Sequence, residues 1–109
     1  MKKPISATET ALRMIGRKGT FLILEMLLKG ATRFTTLEKA LKVSPRTLSE
    51  RLKELESYDV VSRKAFPEVP PRVEYSLTEK GEALHLVFEG IREWTEAFEK
   101  PKKKAVKKK

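Results

Sequence analysis

The chain contains no cysteine, which excludes disulfides, thiolate metal sites and cysteine redox sensing. It contains one histidine, His85; with no thiol and no second imidazole to join it, a metal site is not expected there, and the residue reads as a packed or surface side chain. Also missing are a glycine-rich phosphate loop, a nucleophile–base pair and any metal-ligand spacing. "SPRT" and "EKGE" match no catalytic pattern, so neither an enzyme nor a cofactor is expected. No apolar run approaches the roughly 18 residues of a spanning helix. The start, "MKKPISATET", puts no apolar stretch behind its two lysines, unlike a secretory signal. The expectation is a cytoplasmic protein without membrane contact.

What the chain does have is charge. Of its 109 residues 36% are charged and 39% hydrophobic, with a formal net charge of +9, which suits a single domain with a small core and favours a polyanionic partner. The excess is concentrated at one end. Residues 100–109, "KPKKKAVKKK", hold seven lysines and no acid; without them seventeen basic residues face fifteen acidic ones, a net of +2. The expected division is therefore a folded domain over 1–99 and a disordered lysine-rich tail over 100–109. Such a tail is either an idle solubility aid, an added attraction to DNA phosphates through counterion release, or a contact for RNA or membrane. Any binding face on the balanced body must come from arrangement.

Helix punctuation is strong. "SATE", Ser6 to Glu9, has capping-box spacing and opens a helix carrying Ala11, Leu12 and Ile15 that Gly16 stops. "TFLILEMLL", Thr20 to Leu28, is apolar almost all round and predicts a buried central helix ended by Gly30. "TTLEKALKV" repeats the cap signal, with Thr35 as N-cap and Leu37, Ala40 and Leu41 as the inner stripe. After the three-residue turn "KVS", "SPRTLSERLKELES" starts with Ser44 as N-cap and Pro45 at the first helical position, and its Leu48, Leu52 and Leu55 share one face. Two helices across a tight turn are helix-turn-helix grammar.

"VVSRKAF" is β-prone, and "VEYSL" alternates, with Val73, Tyr75 and Leu77 on one side and Glu74 and Ser76 on the other. Between them Pro67, Pro70 and Pro71 fix φ and hold a tip in one shape. A hairpin directly after a helix-turn-helix is the winged form of that motif. The last helix is expected to run from Thr78 as cap through "TEKGEALHLVFEGIREWTEAFE" as one element, with Glu79 and Glu82 near its positive end. Its stripe of Leu84, Phe88, Ile91, Thr95 and Phe98, widened by Leu86, Val87 and Trp94, is broader than packing on a small domain requires.

Order and residues together resemble the HxlR-type winged helix-turn-helix transcription regulators. The matching pieces are "LILEMLLKGATRF", "LSERLKELE", "VVSRKAFPEVPPRVEYSLTEKGEAL" and "IREW", spanning Ser6 to Phe98, and "PPRVEYSLTEKG" is the most specific of them. The resemblance implies a mainly α fold with a small β-hairpin wing (α+β), and a homodimer that binds a two-fold-related operator to regulate transcription. First and last helices would pair across the dimer, which places Leu12, Ile15, Phe88, Ile91, Trp94 and Phe98 at its interface. Three departures stand out. Ser6-Ala7 replaces a Cys-Pro pair that senses oxidants or electrophiles in some members, Gly19 stands where tryptophan is common, and Tyr58-Asp59 replaces an Asp-Gly turn. Aspartate tolerates a left-handed conformation better than most residues, so that turn is expected to survive.

On a helix advancing about 100° per residue, the face opposite the leucines carries Arg46, Ser49, Glu50 and Lys53, with Thr47 to one side. Over about 44–57 this is the expected recognition helix, entering the major groove N-terminal end first. Arg46 suits guanine O6 and N7, and Ser49 and Thr47 suit base edges or phosphates; Glu50 suits cytosine N4 or an i+4 pair with Arg46. Ser44, at the head of the helix, joins this set. Arg33 and Lys42 suit phosphate contacts, Arg33 alternatively a structural packing role. Arg63, Lys64 and Arg72 bracket the wing of about 60–77, with Arg72 expected at the minor groove or its phosphates and Glu68 arguing against deep insertion. The reading is thus a nucleoid-associated regulator of double-stranded DNA. Its rivals are an architectural, weakly specific DNA binder, favoured by the tail, and a winged domain serving only protein interaction. Trp94 and Phe98 could line an effector pocket at the dimer seam, but aromatic residues at helical spacing are the ordinary signature of core or interface.

Overall fold

The computed structural model describes residues 6–99; the lysine tail lies outside the described residues. Helix α1 (Ala7–Ile15) begins on the expected capping box: the Glu9 amide donates to Ser6 Oγ at 3.0 Å, the Glu9 carboxylate accepts from the Ser6 amide, and Gly16 ends the helix. Its inward residue is Met14, while Leu12 is 62% exposed. Helix α2 (Thr20–Leu28) buries Thr20, Ile23, Leu24 and Leu27 but leaves Phe21 and Leu22 exposed. Gly19 caps it in a left-handed conformation with φ 86°. That backbone favours glycine over a side chain such as tryptophan, a local reason for the departure at this position.

A short strand β1 (Thr32–Arg33) leads into helix α3 (Phe34–Leu41). Thr35 is not the cap: Arg33 occupies that position without a side-chain hydrogen bond, and the helix starts two residues earlier than a cap at the threonine would allow. The inner stripe also shifts. Leu37 is fully buried with Phe34 and Leu41 packed beside the core, while Ala40 faces out. Lys42 caps α3 at φ 55°, Val43 and Ser44 complete the turn, and helix α4 (Pro45–Ser57) follows with all three leucines buried.

Strands β2 (Val61–Phe66) and β3 (Arg72–Leu77) form the antiparallel hairpin, registered from Val61 opposite Leu77 to Phe66 opposite Arg72. Asp59 takes the left-handed conformation, φ 64°, that the turn before β2 needs. The sheet has three strands rather than two, in the order β1-β3-β2, because Thr32 and Arg33 pair with Tyr75 and Glu74. That pairing roots the wing in the segment that starts the helix-turn-helix.

Thr78 is the expected cap, accepting from the Gly81 amide at 3.0 Å, but the last helix is not continuous. A four-residue α5 (Glu79–Glu82) and α6 (His85–Phe98) are joined through a tightened turn in which the Leu84, Leu86 and Val87 amides each bond three residues back. Helix α5 is tied to the α4–β2 turn: the Thr78 hydroxyl donates to the Asp59 carbonyl at 2.7 Å and the Lys80 ammonium to the Tyr58 carbonyl at 2.9 Å. Helix α6 instead brings Phe88 edge-on to Phe21, ring centroids 4.8 Å apart. The tightened turn reconciles these two demands.

Gly81 is the pivot of that arrangement. A Cβ built there would overlap the Val60 carbonyl oxygen, which already accepts from the Thr78 amide. Gly81→Ala is expected to cost about 1–3 kcal/mol of stability in urea melts, as overpacking against fixed backbone does. The control Gly90→Ala meets nothing within 4 Å and should be neutral or stabilising by about 0.5–1 kcal/mol. Equal midpoints for the two variants would contradict this packing.

Candidate nucleic-acid interface

Helix α4 is presented by its caps and its burial. Ser44 Oγ accepts from the Thr47 amide at 3.0 Å and lies 3.0 Å from Thr47 Oγ1, so both hydroxyls belong to the helix start. The buried leucine face turns Arg46, Glu50 and Lys53 to solvent, with Ser49 at its margin. The Arg46 side chain is 89% exposed, against 54% for Glu50, and Arg46 Nε donates to Glu50 Oε2 at 3.3 Å. An exposed i,i+4 pair contributes only a few tenths of a kcal/mol, so exchanging it for a base or phosphate costs little. Lys53 makes no ion pair among the described residues.

Two contacts invisible in the helical pattern hold α4 from behind. Arg51 Nε donates to the Lys18 carbonyl at 3.0 Å, and Arg17 pairs with Glu54 at 3.0 Å. Residues 33 and 37 apart in sequence meet there. In composition Arg51 is one more surface cation; in the fold its side chain is 14% exposed and structural.

Arg33 and Lys42 flank α3 at its two ends, both exposed and without an ion pair among the described residues. Arg33 is therefore not the packed structural arginine. Arg33 and Arg63 line a groove of about 540 Å³ between the start of α3 and the wing, with Phe34, Tyr75, Pro70 and Pro71 as its apolar walls. Arg63 and Lys64 are exposed on β2, and the Lys64 ammonium lies 5.1 Å from the centre of the Phe66 ring.

Arg72, expected at the minor groove or its phosphates, is engaged within the wing itself. Its guanidinium stacks 3.7 Å over Phe66, Arg72 Nε donates to both carboxylate oxygens of Glu68 at 3.1 and 3.2 Å, and its remaining nitrogens reach Glu68 (2.6 Å) and Glu74. Its donors are turned to the wing's own acids. The Arg72 hydrogen bonds hold the Glu68 carboxyl below the usual carboxylate range, and bonding to Glu68 raises Arg72 in turn. Stability from this pair is present above the ordinary carboxylate pKa and is lost only as pH falls through the lowered folded value.

The residues expected at a dimer seam divide. Leu12, Ile91, Trp94 (56%) and Phe98 (73%) are exposed. Ile15 packs partly against the core, and Phe88 is 4% exposed inside its own protomer rather than free on the surface. Helical spacing could not separate Phe88 from its neighbours, because its burial comes from residues distant in sequence, Phe21 among them. Val87 joins Ile91, Trp94 and Phe98 at i, i+4, i+7 and i+11, all exposed, and Trp94 and Phe98 stand 6.3 Å apart between centroids. Among the described residues no helix is long and apolar enough to cross a membrane.

Comparison with known proteins agrees with this arrangement. The sequence is 39% identical over 94 residues to the HTH-type transcriptional regulator YodB of Bacillus subtilis, covering 85% of this chain and 84% of that one. It is 47% identical over 87 residues to the uncharacterized HTH-type transcriptional regulator YvaP of the same organism, covering 79% and 81%. The structure of reduced YodB superposes with a TM-score of 0.79 at 36% identity, over 90% of this chain and 98% of that one; YodB has also been solved quinone-bound. The family model for the HxlR-like helix-turn-helix matches residues 14–103. With a winged helix-turn-helix fold, a family-model match over most of its length and relatives that are transcriptional regulators, this chain belongs to the HxlR-like helix-turn-helix family of DNA-binding transcriptional regulators.

Proposed function

We propose that this regulator binds a two-fold-related operator as a homodimer, with α4 in the major groove and the wing on the flanking backbone. The observation that carries the reading is the division of α4: three leucines fully buried on one face, and Arg46, Glu50 and Lys53 exposed on the other, with Arg63 and Lys64 exposed on β2. Arg46 and Lys53, with Ser49 and Thr47 at the margin, read base edges or neighbouring phosphates, and Glu50 releases Arg46 to do so or accepts from cytosine. Ser44 acts through its cap, presenting the helix start. Arg33, Lys42, Arg63 and Lys64 contact phosphates and set orientation.

The lysine tail adds sequence-independent attraction, within a cytoplasmic, nucleoid-associated protein. An architectural role is the weaker reading, because the body's charge is balanced and its relatives are regulators. Whatever effector the protein answers to does not act through a thiol, since the chain has none.

Anisotropy titrations test the recognition assignment. Arg46→Ala and Lys53→Ala are each expected to weaken binding to the gene's own upstream region by about 1–3 kcal/mol, with helicity unchanged. Arg46→Ala should also narrow the preference over random duplex. Unchanged affinity in both variants would remove α4 from the recognition role.

A further inference from the structure

We infer that Arg72 is a positioning residue of the wing: its guanidinium clips the tip closed and masks two carboxylates that would otherwise face DNA phosphates. This rests on the DNA-binding reading above and assigns Arg72 a different part in it from the cations around it.

The geometry of the clip is closed on three sides. Arg72 lies opposite Phe66 in the hairpin register and stacks on its ring at 3.7 Å, so the last residue of β2 and the first of β3 are joined by more than backbone. The fork to Glu68 reaches into the tip itself, where the Glu68 amide donates to the Phe66 carbonyl at 2.8 Å. The third arm holds Glu74, the residue opposite Lys64 on the neighbouring strand and opposite Arg33 on the other. The same Phe66 ring lies under the Lys64 ammonium. Displacing Arg72 therefore frees the ring beneath Lys64 and the tip loop together.

The charge arithmetic points the same way. Without Arg72, Glu68 and Glu74 lose the guanidinium that binds both and compete with phosphate for the neighbouring cations, Arg33, Arg63 and Lys64, to which the proposed function gives phosphate contacts. Like charge brought against a phosphate backbone opposes association. A planar fork that saturates one carboxylate, reaches a second and stacks on an aromatic ring is a task for arginine; a lysine ammonium cannot reproduce it.

Three variants of the full chain separate a clip from a phosphate contact: Arg72→Ala, Arg72→Lys, and Arg72→Ala combined with Glu68→Gln. The first readout needs no DNA: hydrogen exchange at the Glu68 amide should accelerate in Arg72→Ala and in Arg72→Lys, while the α4 amides stay as in the parent. Anisotropy with a labelled duplex from upstream of the gene is the second. Arg72→Ala should lower affinity about tenfold through the unmasked acids, and adding Glu68→Gln should recover most of that loss. Arg72→Lys, which keeps the charge, should lose affinity without altering the slope of log K against log salt. If instead Arg72→Ala flattens that slope by about 0.9, the decrement for one phosphate contact, and Glu68→Gln recovers nothing, Arg72 touches DNA and the clip is overturned. Unchanged exchange at Glu68 overturns it equally. A parent protein that binds no duplex would defeat the DNA reading while leaving the exchange result to judge the clip.

Discussion

Leu52→Ala is expected to lower stability by about 2–5 kcal/mol, the range for deleting a buried leucine from a core that relaxes only partly. Leu52 is 1% exposed at the middle of α4, between Leu48 and Leu55, which are both fully buried. These three leucines are the whole apolar face of α4, the proposed recognition helix, so a cavity there loosens the element that presents Arg46 and Lys53. For a domain of this size each kcal/mol lowers the melting temperature by roughly 4–8 °C, and the loss should be plain in thermal or urea unfolding. Operator affinity measured well below the new melting point should change much less than stability, because Leu52 faces away from the proposed DNA surface. Leu52→Ala melting with the parent protein would show that α4 is not packed as described.

The second large effect concerns assembly. Trp94→Glu is expected to turn a dimer into a monomer in sedimentation at micromolar concentration, and to lower operator affinity by roughly 10²–10⁴ because two half-sites can no longer be engaged together. Trp94 is the centre of the exposed row Val87, Ile91, Trp94 and Phe98. Fully burying one side chain of this kind contributes about 1.5–3 kcal/mol, and an unpaired carboxylate in its place reverses the sign. The substitution leaves the protomer's fold alone, since Trp94 packs chiefly against Phe98 and solvent. The corresponding change at Phe88 would unfold the protomer instead, so Phe88 is a poor probe of the interface. A parent protein that sediments as a monomer at these concentrations would end the dimer proposal.

Much of this molecule is local chemistry, and local chemistry is written in order along the chain. Ser6 and Glu9 close a capping box, Ser44 and Pro45 start α4, Thr78 caps α5, and Asp59 takes its left-handed turn, because each needs only residues within three or four positions. The leucine spacing of α4 and the alternation of β3 likewise report directly which face is buried. Hence the winged helix-turn-helix, its second helix α4 and the limits of its wing were legible in the sequence. The exclusion of cysteine-based redox sensing follows from composition alone.

Tertiary structure alone decided what depends on residues far apart. Strand β1 exists because Tyr75 and Glu74 offer it a partner, and two residues carry no periodicity of their own. The last helix breaks because Gly81 must sit against the Val60 carbonyl while Phe88 must reach Phe21. Arg51 and Arg72 look like any other surface cation in sequence, yet one anchors α4 to the Lys18 carbonyl and the other closes the wing on its own acids. A charged side chain's partner is set by where the backbone brings a carbonyl or carboxylate within about 3 Å, and no spacing rule along the chain contains that distance.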